Sequence, residues 1–245
     1  METEKSLFSP EAIDKGTLAM LETARLERED KLLDLGCGYG TVGIYAALAV
    51  GIRDITMTDV NADAVECARR NVEACIPEEE GRNIKIVQGD GLEKVEDRDF
   101  TVIMSNPPYH ADFSVPKHFI EDGYRHLKTG GRMVMVTKRR TWYENKLKAV
   151  FGGVRVTEAD GYYIFTAEKR SRAAKETSKA ARSRSAEGTN KEQTIETANK
   201  ANKEQTIEAA NKANKERTTD VEQKCQNKLS KKLKRKMQAR TRNRR

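Results

Sequence analysis

Cysteine, histidine and tryptophan are scarce in this chain, at four, three and one among 245 residues. Cys37, Cys67, Cys75 and Cys225 show neither the pairing pattern of a disulfide framework nor the short spacing of a zinc site. A reducing compartment and no metal centre are therefore expected. No apolar run reaches the roughly 20 residues that a membrane-spanning helix requires, and the charged first residues lack a signal-peptide core. That combination predicts a soluble, cytoplasmic protein. Aromatic residues amount to 6% of the chain, and none falls after residue 170. Residues 171–245 thus have too little large apolar surface to offset the entropy of ordering a core.

Charge divides the chain at the same place. Residues 171–245 hold 22 basic and 9 acidic side chains, a net +13, and residues 1–170 hold the remaining 24 and 29, a net −5. The overall +8 hides an acidic body, residues 1–170, and a basic arm, residues 171–245. Within the arm a twelve-residue repeat starts at Asn190, recurs from Asn202 and decays from Asn214. One Ile per repeat gives no stripe wide enough to pack, so disorder or a loose helix is expected there. Ten basic residues and no acidic one lie between Lys228 and Arg245, a composition suited to phosphate binding.

The body carries the chemistry. An apolar run from Phe100 to Ser105 ends in Asn106-Pro107-Pro108-Tyr109. Two prolines fix φ near −65° and remove two backbone donors, which leaves a stiff corner that presents carbonyls. The Asn106 side-chain oxygen and the Pro107 carbonyl can grip the hydrogens of a flat amino group, and Tyr109 offers a face for stacking a planar substrate. Such a corner reads as the acceptor pocket of an N-methyltransferase.

Upstream, Leu32 to Leu35 leads into a turn with glycines at 36, 38, 40 and 43 and then into a helical pattern. Strand, tight turn and helix N-terminus bring backbone close to a ligand. Asp59 follows Gly38 by 21 positions and could accept both hydroxyls of a ribose. The spacing also satisfies a dinucleotide-binding fingerprint. Asp34 separates the two, because a carboxylate there can face the amino group of S-adenosylmethionine and does nothing for a pyrophosphate. Asp90, after the run Ile84 to Gln88, can accept from an adenine amino group.

These residues resemble the class I S-adenosylmethionine-dependent methyltransferases, and among them the small-domain (MTS) ribosomal RNA guanine-N2 enzymes. The resemblance covers about residues 7–169. It rests on Asp34, Gly36, Gly38 and Gly40 as the cofactor loop, Asp59, Asp90, the tetrapeptide at 106–109, and Phe8-Ser9 followed by Asp14-Lys15-Gly16-Thr17. It implies guanine in ribosomal RNA as acceptor, Phe8, Pro108 and His110 beside the base, and Thr17 bordering the cofactor. Two features depart from that pattern. Those enzymes often carry a second, silent methyltransferase-like domain, which is not expected here, and the basic arm is additional. Adenine N6 and a glutamine side-chain nitrogen are alternative acceptors for the same tetrapeptide. A non-catalytic RNA- or ribosome-binding factor is the alternative from another class, and a dehydrogenase is a further rival.

Alternating strand and helix signals predict a Rossmann-like α/β fold whose mostly parallel seven-stranded sheet is covered on both faces. Helices are expected over about 10–27, from Thr41, over 62–74, 115–127 and 141–150. Strands are expected ending at Leu35, Thr58 and Gln88, and over 100–105 and 132–137. The runs 154–157 and 162–166 are expected to form an antiparallel pair at the edge. Because ligands bind beyond the carboxyl ends of parallel strands, Gly36, Asp59, Asp90 and Asn106 should converge. Lys138, Arg139 and Arg140, just after the fifth strand, become candidates for gripping RNA phosphates.

Overall fold

In a computed structural model, which describes residues 13–76, 83–108 and 113–171, seven strands form one sheet. The strands are β1 (Lys31–Leu35), β2 (Asp54–Asp59), β3 (Asn83–Gln88), β4 (Phe100–Ser105), β5 (Leu127–Thr137), β6 (Arg155–Ala159) and β7 (Tyr162–Glu168). Their order is β3-β2-β1-β4-β5-β7-β6. The first five run parallel, and β7 lies antiparallel between β5 and β6. The tight turn at Asp160 and Gly161, both with positive φ, makes β6 and β7 antiparallel neighbours, since a two-residue connection cannot join parallel strands.

Successive residues of each strand face opposite ways, and the body uses both faces. Leu32, Ile55, Met57, Val102, Met104, Val134 and Val136 pack with α1 (Lys15–Thr23), α2 (Thr41–Tyr45) and α3 (Ala62–Cys75). Leu33, Leu35, Ile103, Met133, Met135 and Phe165 pack with α4 (Ser114–His126) and α5 (Thr141–Phe151). The central strands are covered on both faces, which is why they read as near-continuous apolar runs rather than as alternating ones, whereas the edge strands β3 and β6 keep exposed residues.

Local chemistry sets the element ends. Asp14 caps α1 by accepting from the Thr17 amide at 2.9 Å, and Ala24 is already extended, so this helix ends before the expected Glu27. The helix after the glycine turn is not uniform: α2 passes into a π-helical segment, Ala46–Val50, closed by Gly51 at φ 84°. Strand β5 begins five residues before the expected Arg132, because Leu127 pairs with Phe100 ahead of a register shift in β4. At Gly43 a Cβ would sit 2.6 Å from Met57 Sδ, so this glycine lets α2 lie close on β2. No helix among the described residues is long and apolar enough to cross a membrane.

Candidate active site

The carboxyl ends of β1, β2 and β4 and the loop after β3 meet at one cavity of about 350 Å³. Asp34, Gly36, Gly38, Asp59, Asp90, Asn106, Pro107 and Pro108 all line it, although they span 75 positions of the sequence. The convergence expected of Gly36, Asp59, Asp90 and Asn106 is therefore present, and Asp34, Gly38, Pro107 and Pro108 share the same wall. Gly40 is not part of the lining; it stands at the start of α2 in the left-handed region, at φ 89°. Lys138, Arg139 and Arg140 follow β5 at the same edge of the sheet and are exposed, but they do not line the cavity either. Phe8, Tyr109 and His110 lie outside the described residues, as do the basic arm and its repeats.

The loop after β1 is held by the end of β2. Thr58 accepts from the amides of Gly36 and Cys37 at 2.9 and 3.0 Å. Asp59 uses one carboxylate oxygen for the Gly38 amide at 2.9 Å and the other for the Asn61 amide at 2.9 Å. Gly36 and Gly38 have φ of 75° and 53°, a region that costs most other residues strain. Thus Asp59 does more than face the cavity: it also fixes the turn that forms the cavity wall. Ser105 Oγ donates to the Leu35 carbonyl at 2.7 Å and joins the ends of β1 and β4. Thr58 Oγ1 donates to the Gly91 carbonyl at 3.1 Å, which places the loop bearing Asp90.

Asp34 is 2% exposed and accepts from the Gly43 amide at 3.1 Å. Burial pushes its carboxyl up to about 7, against the opposing effect of the Gly43 hydrogen bond, and the charge of Asp59 adds to the rise. Burial likewise raises the Cys37 thiol well above its ordinary range, with Asp34 and Asp59 contributing, so Cys37 remains a thiol lining the wall. A carboxyl group in this condition gains most from a cationic ligand, which would favour its charged form.

Asn106 is fixed from the opposite side. Its Nδ2 donates to Asp14 Oδ2 at 2.8 Å and to Thr17 Oγ1 at 2.9 Å, and both partners line the cavity. Phe119 of α4 lies against Gly36 and Gly91 and, with Val115, supplies an apolar part of the wall. Sequence reasoning noted Thr17 only as a cofactor neighbour and missed Phe119, whose sole signal is its place on the apolar face of a helix. Among the described residues no cluster of His, Cys, Asp or Glu could hold a metal ion.

The donor set suits a cofactor with a cationic amino group, a ribose and an amino-bearing base. Asp34, Asp59 and Asp90 offer three carboxylates, and the positive-φ glycine turn keeps side-chain bulk away from the wall. The uncharacterized protein YbxB of Bacillus subtilis (strain 168) is 33% identical over 174 residues, which make up 68% of this chain and 84% of YbxB. Ribosomal RNA small subunit methyltransferase C of Shewanella amazonensis is 30% identical over 67% of this chain and 48% of its own length. The solved T. thermophilus 16S rRNA N2 G1207 methyltransferase RsmC, in complex with AdoMet and guanosine, aligns with a TM-score of 0.59 at 26% identity. That alignment covers 67% of this chain and 45% of RsmC. The chain thus spans less than half the length of these two rRNA methyltransferases. The family model for the methyltransferase small domain matches residues 1–166, and the chain belongs to this family of S-adenosylmethionine-dependent methyltransferases.

Proposed function

We propose that this chain methylates the exocyclic N2 of a guanine in ribosomal RNA. The observation that carries the reading is the position of Asn106. The residue that would grip an acceptor nitrogen opens onto the same cavity as Asp34, Asp59 and Asp90. In the reading, Asp34 holds the cofactor's amino group, Asp59 its ribose hydroxyls and Asp90 its adenine amino group. S-adenosylmethionine, when bound, supplies an electrophilic methyl on a sulfonium that departs as a neutral thioether. The protein's part is then alignment, which can contribute roughly 7–11 kcal/mol in favourable cases. The Asn106 oxygen accepts one hydrogen of the guanine amino group, the Pro107 carbonyl accepts the other, and Tyr109 stacks on the ring. The spare proton leaves after the methyl has been delivered, so no residue is assigned as a base.

The choice of RNA rests on the rRNA methyltransferases among the relatives and on charge. Lys138, Arg139 and Arg140 lie over the rings of Tyr162, Phe113 and Tyr163 at 5.0, 5.2 and 5.7 Å, which holds three exposed cations at the edge beside the cavity. They grip phosphates next to the target base. Residues 171–245 act as a separate basic arm that adds affinity. Removing the arm is expected to weaken RNA binding and to flatten its dependence on salt by about 0.7 log units for each phosphate that the arm neutralises. Cofactor affinity should not change. Binding isotherms across a salt series check this, and equal RNA affinity with and without the arm would remove its proposed role.

Transfer of labelled methyl to naked rRNA, ribosomal subunits, tRNA, DNA and protein, followed by mass spectrometry of the digests, tests the whole reading. Label in N2-methylguanosine of rRNA supports it. Label in N6-methyladenosine or methylglutamine would keep the pocket and replace the substrate.

A further inference from the structure

We infer that Asp14 is a positioning residue that sets which end of the Asn106 amide faces the acceptor, and so restricts the site to acceptors bearing N–H groups. The inference rests on the methyltransferase reading above. An asparagine amide is nearly symmetric in shape but not in chemistry, with an acceptor oxygen on one side and two donors on the other. Turned one way, Asn106 receives an amino group; turned the other way, it would repel one and suit a carbonyl or a hydroxyl oxygen.

Asp14 decides between these orientations because a carboxylate only accepts. Its Oδ2 lies 2.8 Å from Asn106 Nδ2, with Thr17 Oγ1 at 2.9 Å from the same nitrogen, so both amide hydrogens have partners. A flipped amide would set oxygen against carboxylate oxygen and leave a part-buried acceptor pair without hydrogens. The nitrogen is therefore held on the α1 side, and the oxygen takes the opposite edge of the amide.

The clamp is itself held in place. Asp14 Oδ2 also accepts from the Thr17 amide at 2.9 Å, so one oxygen both caps α1 and orients a side chain 92 positions away. Gly16, two residues on in the first turn of α1, fits flush against Tyr162. A Cβ there would lie 2.7 and 2.8 Å from two ring carbons of Tyr162 and 2.9 Å from Asp14 Oδ2. The start of α1 is thereby wedged against β7, and Asp14 has little freedom to follow Asn106 if the amide turns.

Helix capping and amide positioning can be separated by substitution. Asp14→Ser keeps an N-cap oxygen for α1 but is too short to reach Asn106. Asp14→Asn keeps an acceptor oxygen for both roles. Rates of methyl transfer to the amino acceptor, affinities for S-adenosylmethionine and for the acceptor, and melting temperatures should be measured for the full chain, Asp14→Ser, Asp14→Asn, Asn106→Ala and Asp14→Ser/Asn106→Ala. Asp14→Ser is expected to lower kcat by about tenfold to a hundredfold, the size of effect that slight misplacement produces. Its cofactor affinity should stay within about twofold, Asp14→Asn should retain most of the rate, and Asp14→Ser should add nothing to Asn106→Ala.

Wild-type rates in Asp14→Ser, or losses that multiply in the double variant, would overturn the clamp and leave the methyltransferase reading intact. A wild-type protein that methylates a hydroxyl or carbon acceptor, or nothing at all, would instead bring down the functional reading and the clamp with it.

Discussion

Asn106→Ala is expected to reduce methyl transfer by about a hundredfold to a thousandfold while cofactor affinity stays within about twofold. The magnitude follows from the kind of interaction removed, a directed acceptor in a walled site, whose loss from comparable catalytic centres costs about 10²–10³ in kcat. The asymmetry follows from the geometry. Asn106 sits at the end of β4 and is tied to Asp14 and Thr17, whereas Asp34, Asp59 and Asp90 are supplied by β1, β2 and the loop after β3. Removing the amide therefore leaves the three carboxylates in place. Single-turnover methyl transfer together with calorimetric titration of the cofactor separates the two effects. Equal losses in both would mean that Asn106 organises the cavity as a whole rather than the acceptor.

Asp34→Asn is expected to have the next largest effect, and the opposite distribution. The Asp34 carboxyl, pushed up to about 7 by burial, is partly protonated in neutral solution. To hold a cationic amino group it must ionise, so cofactor affinity in the wild type should fall as pH drops below about 7, approaching tenfold per pH unit. Asparagine cannot ionise, and the variant should bind about tenfold to a hundredfold more weakly at pH 8, with that pH dependence removed.

Stability should respond in the reverse sense. Between the ordinary aspartate value of 3.8 and about 7, the folded protein retains a proton that the unfolded chain has lost. Stability contributed at this group is thus greatest at low pH and declines as pH rises through that window, by on the order of 4 kcal/mol. Asp34→Asn keeps an oxygen for the Gly43 amide and avoids the charge, so without cofactor it should melt higher than the wild type at pH 8. Denaturation curves at pH 5 and pH 8 check the sign. A wild type that gains stability on going from pH 5 to pH 8, relative to the variant, would contradict it.

Much of this was readable from the chain alone. The alternation of apolar runs with helical patterns specified a covered parallel sheet because each strand must bury both faces and each crossover must span the sheet. Once the sheet is parallel, residues that follow its strands have to gather at one edge. Gly36, Gly38, Asp59, Asp90 and Asn106 could be assigned to one site from their places at the ends of runs, before any distance between them was known. The charge step near residue 170 was equally plain, since composition needs no geometry.

Other features depended on distances that no local pattern encodes. The short link expected at 158–161 implied an antiparallel pair, but pairing with β5 is what inserted β7 inside the sheet edge. Lys138, Arg139 and Arg140 follow a strand as the pattern required, yet their side chains settle over aromatic rings beside the cavity and not in its wall.

Asp34 had a visible place in the motif, whereas its burial, and with it a carboxyl that titrates near neutrality, arises only when α2 closes over β1. Asp14 entered the sequence reading only as part of the Asp14-Lys15-Gly16-Thr17 segment, with no role of its own. Folding carries it across 92 positions to the Asn106 amide, where a single carboxylate oxygen bonds both to that amide and to the Thr17 N–H. Periodicity and turn chemistry, being local, determined the sheet and the edge where its functional residues meet; the orientation of each polar group there was decided by packing between segments far apart in the chain.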